Sequence, residues 1–151
     1  ARTLGQEELR TALLCAGFSS IEFQYPFPDY KIPNVVFTEC AFQTKGFNPV
    51  EIIRQFRSRD YLIDVKPSFS ENLVWPQLGS NDLIPALSNS FLVFAGFDSI
   101  VNDERKPLLA VHYTLDRKKE FKTETKFVLD KSNKINPAIV PVGNASIRAQ
   151  N

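Results

Sequence analysis

The sequence contains no methionine, and its single histidine and its six glycines each argue against a class of function. Because the glycines stand far apart, no Gly-x-Gly-x-x-Gly and no Gly-x-x-x-x-Gly-Lys-Ser/Thr loop is present to cradle a nucleotide. No Gly-x-Ser-x-Gly elbow occurs, and one histidine leaves little material for a hydrolase triad. The common catalytic motifs are therefore absent from this sequence.

Cysteine is also scarce. Cys15 and Cys40 do not have metal-ligand spacing, which argues against a structural zinc site. Cys15 lies in an apolar helical pattern, so we expect a buried free thiol rather than a disulfide, and hence a reducing compartment.

Neither excess charge nor a long apolar run is present. With 18 Lys and Arg against 17 Asp and Glu, the formal charge of +1 lacks the basic surface of a dedicated nucleic-acid binder. No apolar run approaches the roughly 20 residues that cross a bilayer. No signal-peptide pattern opens the chain. We therefore expect no nucleic-acid partner and no transmembrane segment.

What is present is typical of a globular chain that is rich in phenylalanine. The 151 residues are 43% hydrophobic and include 13 Phe, which is enough for one domain with a real core. The chain starts at Ala1 and contains no methionine, which indicates a product that was processed, trimmed or cut from a longer protein.

Helix and strand patterns alternate in the first sixty residues. A capping-box spacing at Thr3 and Gln6 predicts a first helix, which Gly17 ends. Alternating residues over 21–25 and β-branched residues over 35–38 predict two strands. Asn48 and Pro49 then predict the start of a helix running to about Asp60.

The middle of the chain predicts broken helices followed by a buried strand. Residues 68–88 contain helical pieces that Pro76 and Gly79 should interrupt. The near-continuous apolar run over 90–96 is typical of a strand buried on both faces. Such a strand implies a sheet with helices on both sides.

These patterns predict an α/β fold, in which a small mixed sheet is covered by two or three helices and followed by a β-rich C-terminal annex. We divide the chain into an α/β unit over 1–97, a polar linker over 98–107, and a β-meander or the start of a following domain over 108–151.

The best local candidate for a site is the proline-stiffened segment from Tyr25 to Asn34. Its aromatic rings, together with Asp29 and Lys31, could line a pocket. It could equally be a rigid connection in which Asp29 closes a turn. Elsewhere the structural interpretation is favoured. We predict a solvated helix face for arginines 54, 57 and 59, a structural role for His112, and a core or interface anchor at Trp75.

Several segments resemble the C-terminal part of bacterial class I S-adenosylmethionine-dependent methyltransferases from surface-polysaccharide (lipopolysaccharide and O-antigen) gene clusters. The most specific is Tyr-Pro-Phe-Pro-Asp-Tyr-Lys-Ile-Pro at 25–33, which follows the weaker Leu-Leu-Cys-Ala-Gly-Phe helix ending at 13–18. Residues 83–95 resemble the last helix and core strand of that family. Residues 109–117 and 121–125 resemble its junction with a following domain.

The resemblance, which covers roughly residues 3–127, implies an acceptor-side segment of a methyltransferase-like protein. In that family the cofactor loop and the acidic ribose-binding residue lie on the earliest strands, to which nothing here corresponds. We therefore expect no cofactor site in this chain, although S-adenosylmethionine is implied for a full-length relative. By analogy Tyr25, Asp29, Tyr30 and Lys31 would hold the methyl acceptor, for which a sugar is the candidate, and no catalytic residue is assigned.

The expected partners are the remainder of a parent protein or another copy of the chain, with a glycan as the acceptor. The expected location is the cytoplasm, with peripheral contact to the inner membrane left open. The alternative is a self-contained, non-catalytic binding or assembly module for a protein or a glycan.

Overall fold

A single six-stranded sheet organises the chain, and every neighbouring pair of its strands is antiparallel. The computed structural model describes residues 4–56, 68–97, 107–114 and 117–142. The strands are β1 (Ser20–Phe27), β2 (Val35–Thr38), β3 (Leu92–Gly96), β4 (Leu108–Tyr113), β5 (Thr123–Leu129) and β6 (Ile135–Pro141). The helices are α1 (Gln6–Cys15), α2 (Glu39–Gln43), α3 (Pro49–Ile53) and α4 (Glu71–Ser80), with a 3-10 turn at Lys119–Phe121. The strand order is β3-β1-β2-β4-β5-β6. The sheet together with its helices confirms the prediction of an α/β fold.

The first helix ends as its sequence predicts. Gly17 has a φ of +93°, a left-handed conformation that glycine adopts without the steric cost of a side chain. The Phe18 amide then donates to the Leu13 carbonyl and closes the helix end. Cys15 is a free thiol as expected, but it is exposed, so the prediction of burial was wrong. The reason is that α1 contacts the sheet mainly through partly buried residues such as Leu9 and has no fully buried position.

Strand β1 is longer than its sequence pattern predicts, because it continues through Pro26 to Phe27. Its pairing with β3 stops at Gln24, and beyond that point β1 has only β2 as a neighbour. A proline is tolerated in a stretch of strand with one free side, since the missing amide need not break a ladder bond. The proline-rich loop is therefore confined to residues 28–34.

The helices cover the sheet face that carries the odd-numbered residues of β1. Phe23, Tyr25 and Phe27 are all almost fully buried, and Tyr25 lies opposite Phe37 of β2. Around them the buried hydrophobic cluster is completed by Val35, Ala41, Ile53, Ile84, Leu109 and Ala110. Removing such side chains from water is the main favourable contribution to folding.

Two helix boundaries differ from prediction. The Asn48 side chain accepts from the Val50 amide at 3.1 Å and caps α3 as predicted, but α3 ends at Ile53 rather than near Asp60. Helix α4 continues through Pro76 and Gly79, which were expected to interrupt it. Gly79 lets α4 lie close to Val50, because a Cβ at this position would lie 2.4 Å from Val50 Cγ2.

Strand β3 is an edge strand, and the prediction of burial on both faces was wrong. It pairs with β1 on one side and has no strand neighbour on the other among the described residues. Leu92 is 47% exposed and Phe94 49% exposed. Both lie on the face opposite the helix-facing Val93, which is paired with Phe23. Continuous apolarity alone does not distinguish a central strand from an exposed edge.

The C-terminal strands extend the same sheet. Strand β4 pairs with β2, β5 with β4, and β6 with β5, so the predicted meander lies beside the N-terminal strands and not apart from them. Most of the predicted linker and residues 143–151 lie outside the described residues. Among the described helices, none has the length and apolarity needed to span a membrane.

Asp130 organises the turn that joins β5 to β6. Its Oδ1 accepts from the Ser132 amide, the Ser132 hydroxyl and the Lys134 amide at 2.7–2.9 Å, and Oδ2 accepts from Asn136 at 3.0 Å. These hydrogen bonds favour the charged carboxylate, so the pKa of Asp130 is lowered from 3.8 to about 2, with the Ser132 hydroxyl as the largest contributor.

We expect Asp130→Ala to lower the free energy of unfolding at neutral pH, and Asp130→Asn to lower it less. The folded-state pKa is depressed, so the stabilisation by the charge is complete above about 4 and is lost as the pH falls through about 2. Urea denaturation at pH values from 7 to 2 should therefore show the gap between wild type and Asp130→Asn closing at low pH. Asp82→Asn, which removes a carboxylate without comparable hydrogen bonds, is the control. A gap that does not depend on pH would contradict the assignment.

Candidate functional site

The predicted acceptor loop is a tight, hydrogen-bonded connection between β1 and β2. Asp29 Oδ1 accepts from the Lys31 amide at 2.7 Å and from the Ile32 amide at 3.3 Å. The Asn89 side chain donates to the Pro28 carbonyl at 3.1 Å and ties the loop to the segment before β3. Asp29 thus closes a turn, and the loop holds Tyr30 at 66% exposure.

The loop does not form a pocket together with Tyr25. Tyr25 is buried against the helices, where it lines a cavity of about 790 Å³ to which residues 29–31 do not contribute. The structure thus separates the four predicted acceptor residues into one buried ring and three loop residues. Their roles in binding stay predictions.

We call this cavity the helical cleft, since four helices and the floor of the sheet enclose it. It is lined by Gln6, Tyr25, Glu39, Phe42, Gln43, Phe47, Asn48, Pro49, Val50, Glu51, Arg54, Pro76, Gly79, Ser80, Asp82, Ile84 and Pro85. Its volume lies within the range of roughly 300–1,000 Å³ that small-molecule sites occupy.

Aromatic rings form the inner wall of the helical cleft. The rings of Tyr25 and Phe42 meet edge to face, with centroids 5.2 Å apart. Phe37 connects the wall to its neighbours, with its centroid 5.7 Å from that of Phe42 and 6.4 Å from that of Phe47. The edge-to-face contacts of Tyr25 with Phe42 and of Phe37 with Phe47 stabilise the packing of this wall beyond the effect of buried area alone.

An ion pair joins α1 to α2 beside this wall. The Arg10 guanidinium contacts the Glu39 carboxylate and lies over the Phe23 ring, with Cζ 4.6 Å from the centroid. The other Glu39 oxygen accepts from the Phe23 amide at 3.4 Å, next to the end of the β1–β2 ladder at Gln24 and Thr38. Glu39 thus links both helices to the central strand.

The Tyr25 hydroxyl is held neutral. Burial is the largest cause and the Glu39 carboxylate the second, and together they raise the pKa of Tyr25 from 10.0 to about 12. A hydrogen bond from Gln6 and the Arg10 charge oppose this shift without cancelling it. The hydroxyl therefore serves the helical cleft as a neutral hydrogen-bonding group at ordinary pH.

The polar part of the lining combines paired charges with amides. Arg54 Nη1 lies 3.4 Å from Glu51 Oε1, so these two side chains largely neutralise each other. Gln43 and Asp82 are exposed, and within the described part of the chain no hydrogen bond is recorded for either side chain. Asp82 is held at a φ of +56° where the chain leaves α4. Three of the four charged side chains in the lining are thus in ion pairs.

Two other residues singled out in the sequence, His112 and Trp75, pack against aromatic rings. The His112 ring packs 5.7 Å from that of Phe56, and burial lowers its pKa. Trp75 packs edge to face on Phe27 at 5.5 Å, as expected for an anchor. Arg54 lines the helical cleft, whereas arginines 57 and 59 lie outside the described residues. No group of three or more His, Cys, Asp or Glu within the described ranges could hold a metal ion.

Sequence reasoning missed most of the helical cleft. The predicted helix start at Asn48 and Pro49 was the nearest signal, since both residues line the cavity. No local sequence pattern singled out Gln43, which ends α2, or Asp82, which follows α4. Tertiary packing brings both residues to one cavity.

A scan of the sequence against protein-family models finds no match, and searches of curated proteins and of solved structures find none either.

We expect Tyr25→Phe to cost about 1 kcal/mol at neutral pH, the usual contribution of one hydrogen bond, here that from Gln6. The folded-state pKa lies above the unfolded value of 10.0, so the unfolded chain loses its proton first and stability falls as the pH rises from about 10 to about 12. Denaturation across this range should show a shallower fall for Tyr25→Phe than for wild type. Equal slopes would show that Tyr25 ionises freely in the fold.

Gly79→Ala should destabilise the protein by about 1–3 kcal/mol through overpacking against Val50, despite the better helix propensity of alanine. In a Val50→Ala background the added methyl group has room, so the same substitution should cost much less. The four unfolding free energies form a double-mutant cycle, and simple additivity would refute the contact.

Proposed function

We propose that this chain is the acceptor-side segment of a methyltransferase-like protein of bacterial envelope polysaccharide synthesis, and that it works with a separate cofactor-binding unit. Two independent features support the proposal. One is the resemblance carried by residues 13–18, 25–33 and 83–95. The other, which carries the physical argument, is the open apolar edge at β3.

The two outer strands of the sheet differ in how they are protected. Strand β6 contains Pro137 and Pro141, and proline on an edge strand discourages further pairing. Strand β3 has the sequence Leu-Val-Phe-Ala-Gly, without charge or proline, and exposes Leu92 and Phe94. An unprotected apolar edge favours the addition of another strand. This asymmetry supports a docking edge at β3 for the cofactor-binding unit.

We infer that S-adenosylmethionine does not bind in the helical cleft. A cradle for this cofactor needs backbone that a ligand can approach closely, usually at glycine. In the helical cleft the lining glycine is Gly79, and Val50 already fills the space beside it. The proposal therefore assigns cofactor binding to the partner unit and derives no chemical step within this chain.

A self-contained, non-catalytic binding module is the second candidate, and one observation favours it. The buried cluster of Phe23, Tyr25, Phe37 and their neighbours is closed within a single sheet by residues of this chain alone. Such a core could support an independent fold. The two candidates differ in what they expect of the β3 edge and of the cofactor.

Titration calorimetry with S-adenosylmethionine tests the proposal that a separate unit binds the cofactor. We expect no saturable heat with this chain alone, because the proposal assigns the cofactor site to the partner unit. Micromolar binding by the isolated chain would contradict the proposal that a second unit supplies the cofactor site.

Sedimentation analysis tests the β3 edge. We expect the isolated chain to self-associate in a concentration-dependent way, and we expect Phe94→Lys to weaken this association at least tenfold, because a charge at an edge opposes strand addition. Phe121→Lys is the matched control, since Phe121 is also exposed (62%) but lies in the 3-10 turn. A monodisperse, cooperatively melting wild-type monomer would favour the self-contained module instead.

A further inference from the structure

We propose that the helical cleft is a binding site for an uncharged carbohydrate ring, and, resting on the proposed function, that this ring belongs to the methyl acceptor. The site differs from the predicted loop, because Asp29, Tyr30 and Lys31 do not line it. The inference depends on three features of the cleft, namely its apolar wall, its mostly paired charges and its uncommitted polar groups.

The apolar wall suits one face of a pyranose ring. A pyranose presents C–H groups on its faces and hydroxyl groups around its edge, so it needs an apolar surface beside polar partners. Phe42 and Phe47 supply aromatic surface and Val50 extends it, while Tyr25 and Ile84 lie almost fully buried behind them. The combination of apolar walls with a few polar groups that fix orientation is general in ligand sites.

The charged side chains of the lining are paired except for Asp82, which argues against an anionic ligand. Glu39 is paired with Arg10, and Glu51 is paired with Arg54. Paired carboxylates and guanidinium groups keep hydrogen-bonding capacity for hydroxyl groups but offer little net field to an ion. A phosphate would require unpaired cations, and the lining does not contain them among the described residues.

The groups that could form hydrogen bonds with the hydroxyl groups of a sugar lie on different elements around the cavity. Gln43 ends α2 and presents an amide with both donors and an acceptor, whereas Asp82 follows α4 and presents acceptors only. Donors and acceptors are thus both available, as a ring with several hydroxyl groups requires.

Heteronuclear NMR titration of the full chain with uncharged sugars is the primary test. The probes are methyl α-glucopyranoside and methyl N-acetyl-glucosaminide, compared with glucuronate, glucosamine and cyclohexanol. We expect saturable amide shifts around α2, the start of α3 and the turn after α4 with at least one uncharged sugar. Glucuronate, glucosamine and cyclohexanol should bind at least tenfold more weakly.

Two variants test the polar contacts with little risk to the fold, because both side chains are exposed. We expect Gln43→Ala and Asp82→Asn each to weaken sugar binding by about fivefold to tenfold, the effect of losing one good hydrogen bond. Gln77→Ala, an exposed glutamine of α4 outside the lining, should bind like wild type. Melting curves of all the variants establish that a loss of binding is not a loss of fold.

The outcomes separate this inference from the proposed function. Sugar binding at the helical cleft that Gln43→Ala weakens supports the inference, whatever the β3 edge does. Tighter binding of glucuronate or glucosamine, shifts centred on residues 28–34, or no binding of any sugar would overturn it. Each of those results leaves the calorimetric and sedimentation tests of the proposed function unaffected.

Discussion

The row of aromatic side chains on β1 is the constraint on which the rest of the structure depends. Phe23, Tyr25 and Phe27 project to one face of a strand that pairs with β3 along its first half and with β2 along its second half. Their rings meet Phe42, Trp75 and Phe91 edge to face, so helix α2, helix α4 and the segment before β3 all pack on this row. Dense aromatic packing of this kind tolerates little change of volume.

The helical cleft follows from how the helices reach that row. Arg10 and Glu39 hold α1 and α2 over Phe23, while Gly79 lets α4 approach Val50 closely. The Arg10–Glu39 ion pair thus joins α1 to α2 at one point, and the close approach of Gly79 to Val50 joins α4 to α3 at another. Helices as short as α2 and α3 cannot fill the space between those points with their own side chains. The cavity is therefore built into the arrangement and does not depend on one missing side chain.

Local sequence chemistry predicted those elements whose signals are self-contained. The glycine stop after α1, the Asn48 cap, the alternation in β1 and the polar turn at Asp130 all appear in the structure. Each depends on conformational or hydrogen-bonding preferences that neighbouring residues already determine.

What could not be predicted depends on partners distant in sequence. Pro26 is accommodated in β1 only because β3 stops pairing at Gln24, and Pro76 and Gly79 remain helical because α4 packs on α3. The exposure of β3 depends on its position at the edge, which an apolar run does not encode. The candidate site has the same origin, since Gln43 and Asp82 meet only through tertiary packing.

The cleft and the β3 edge are physically connected through Phe91. This ring lies 5.8 Å from Phe23 and 6.1 Å from Tyr25, both edge to face, and it directly precedes β3. Among the described residues β3 has one strand neighbour, and an edge strand is held less firmly than a central strand. A strand added to β3 would fix Phe91 and, with it, the position of the Tyr25 ring in the cleft wall. Docking at the edge and order at the proposed acceptor site are therefore expected to reinforce each other, even though the two surfaces share no residue.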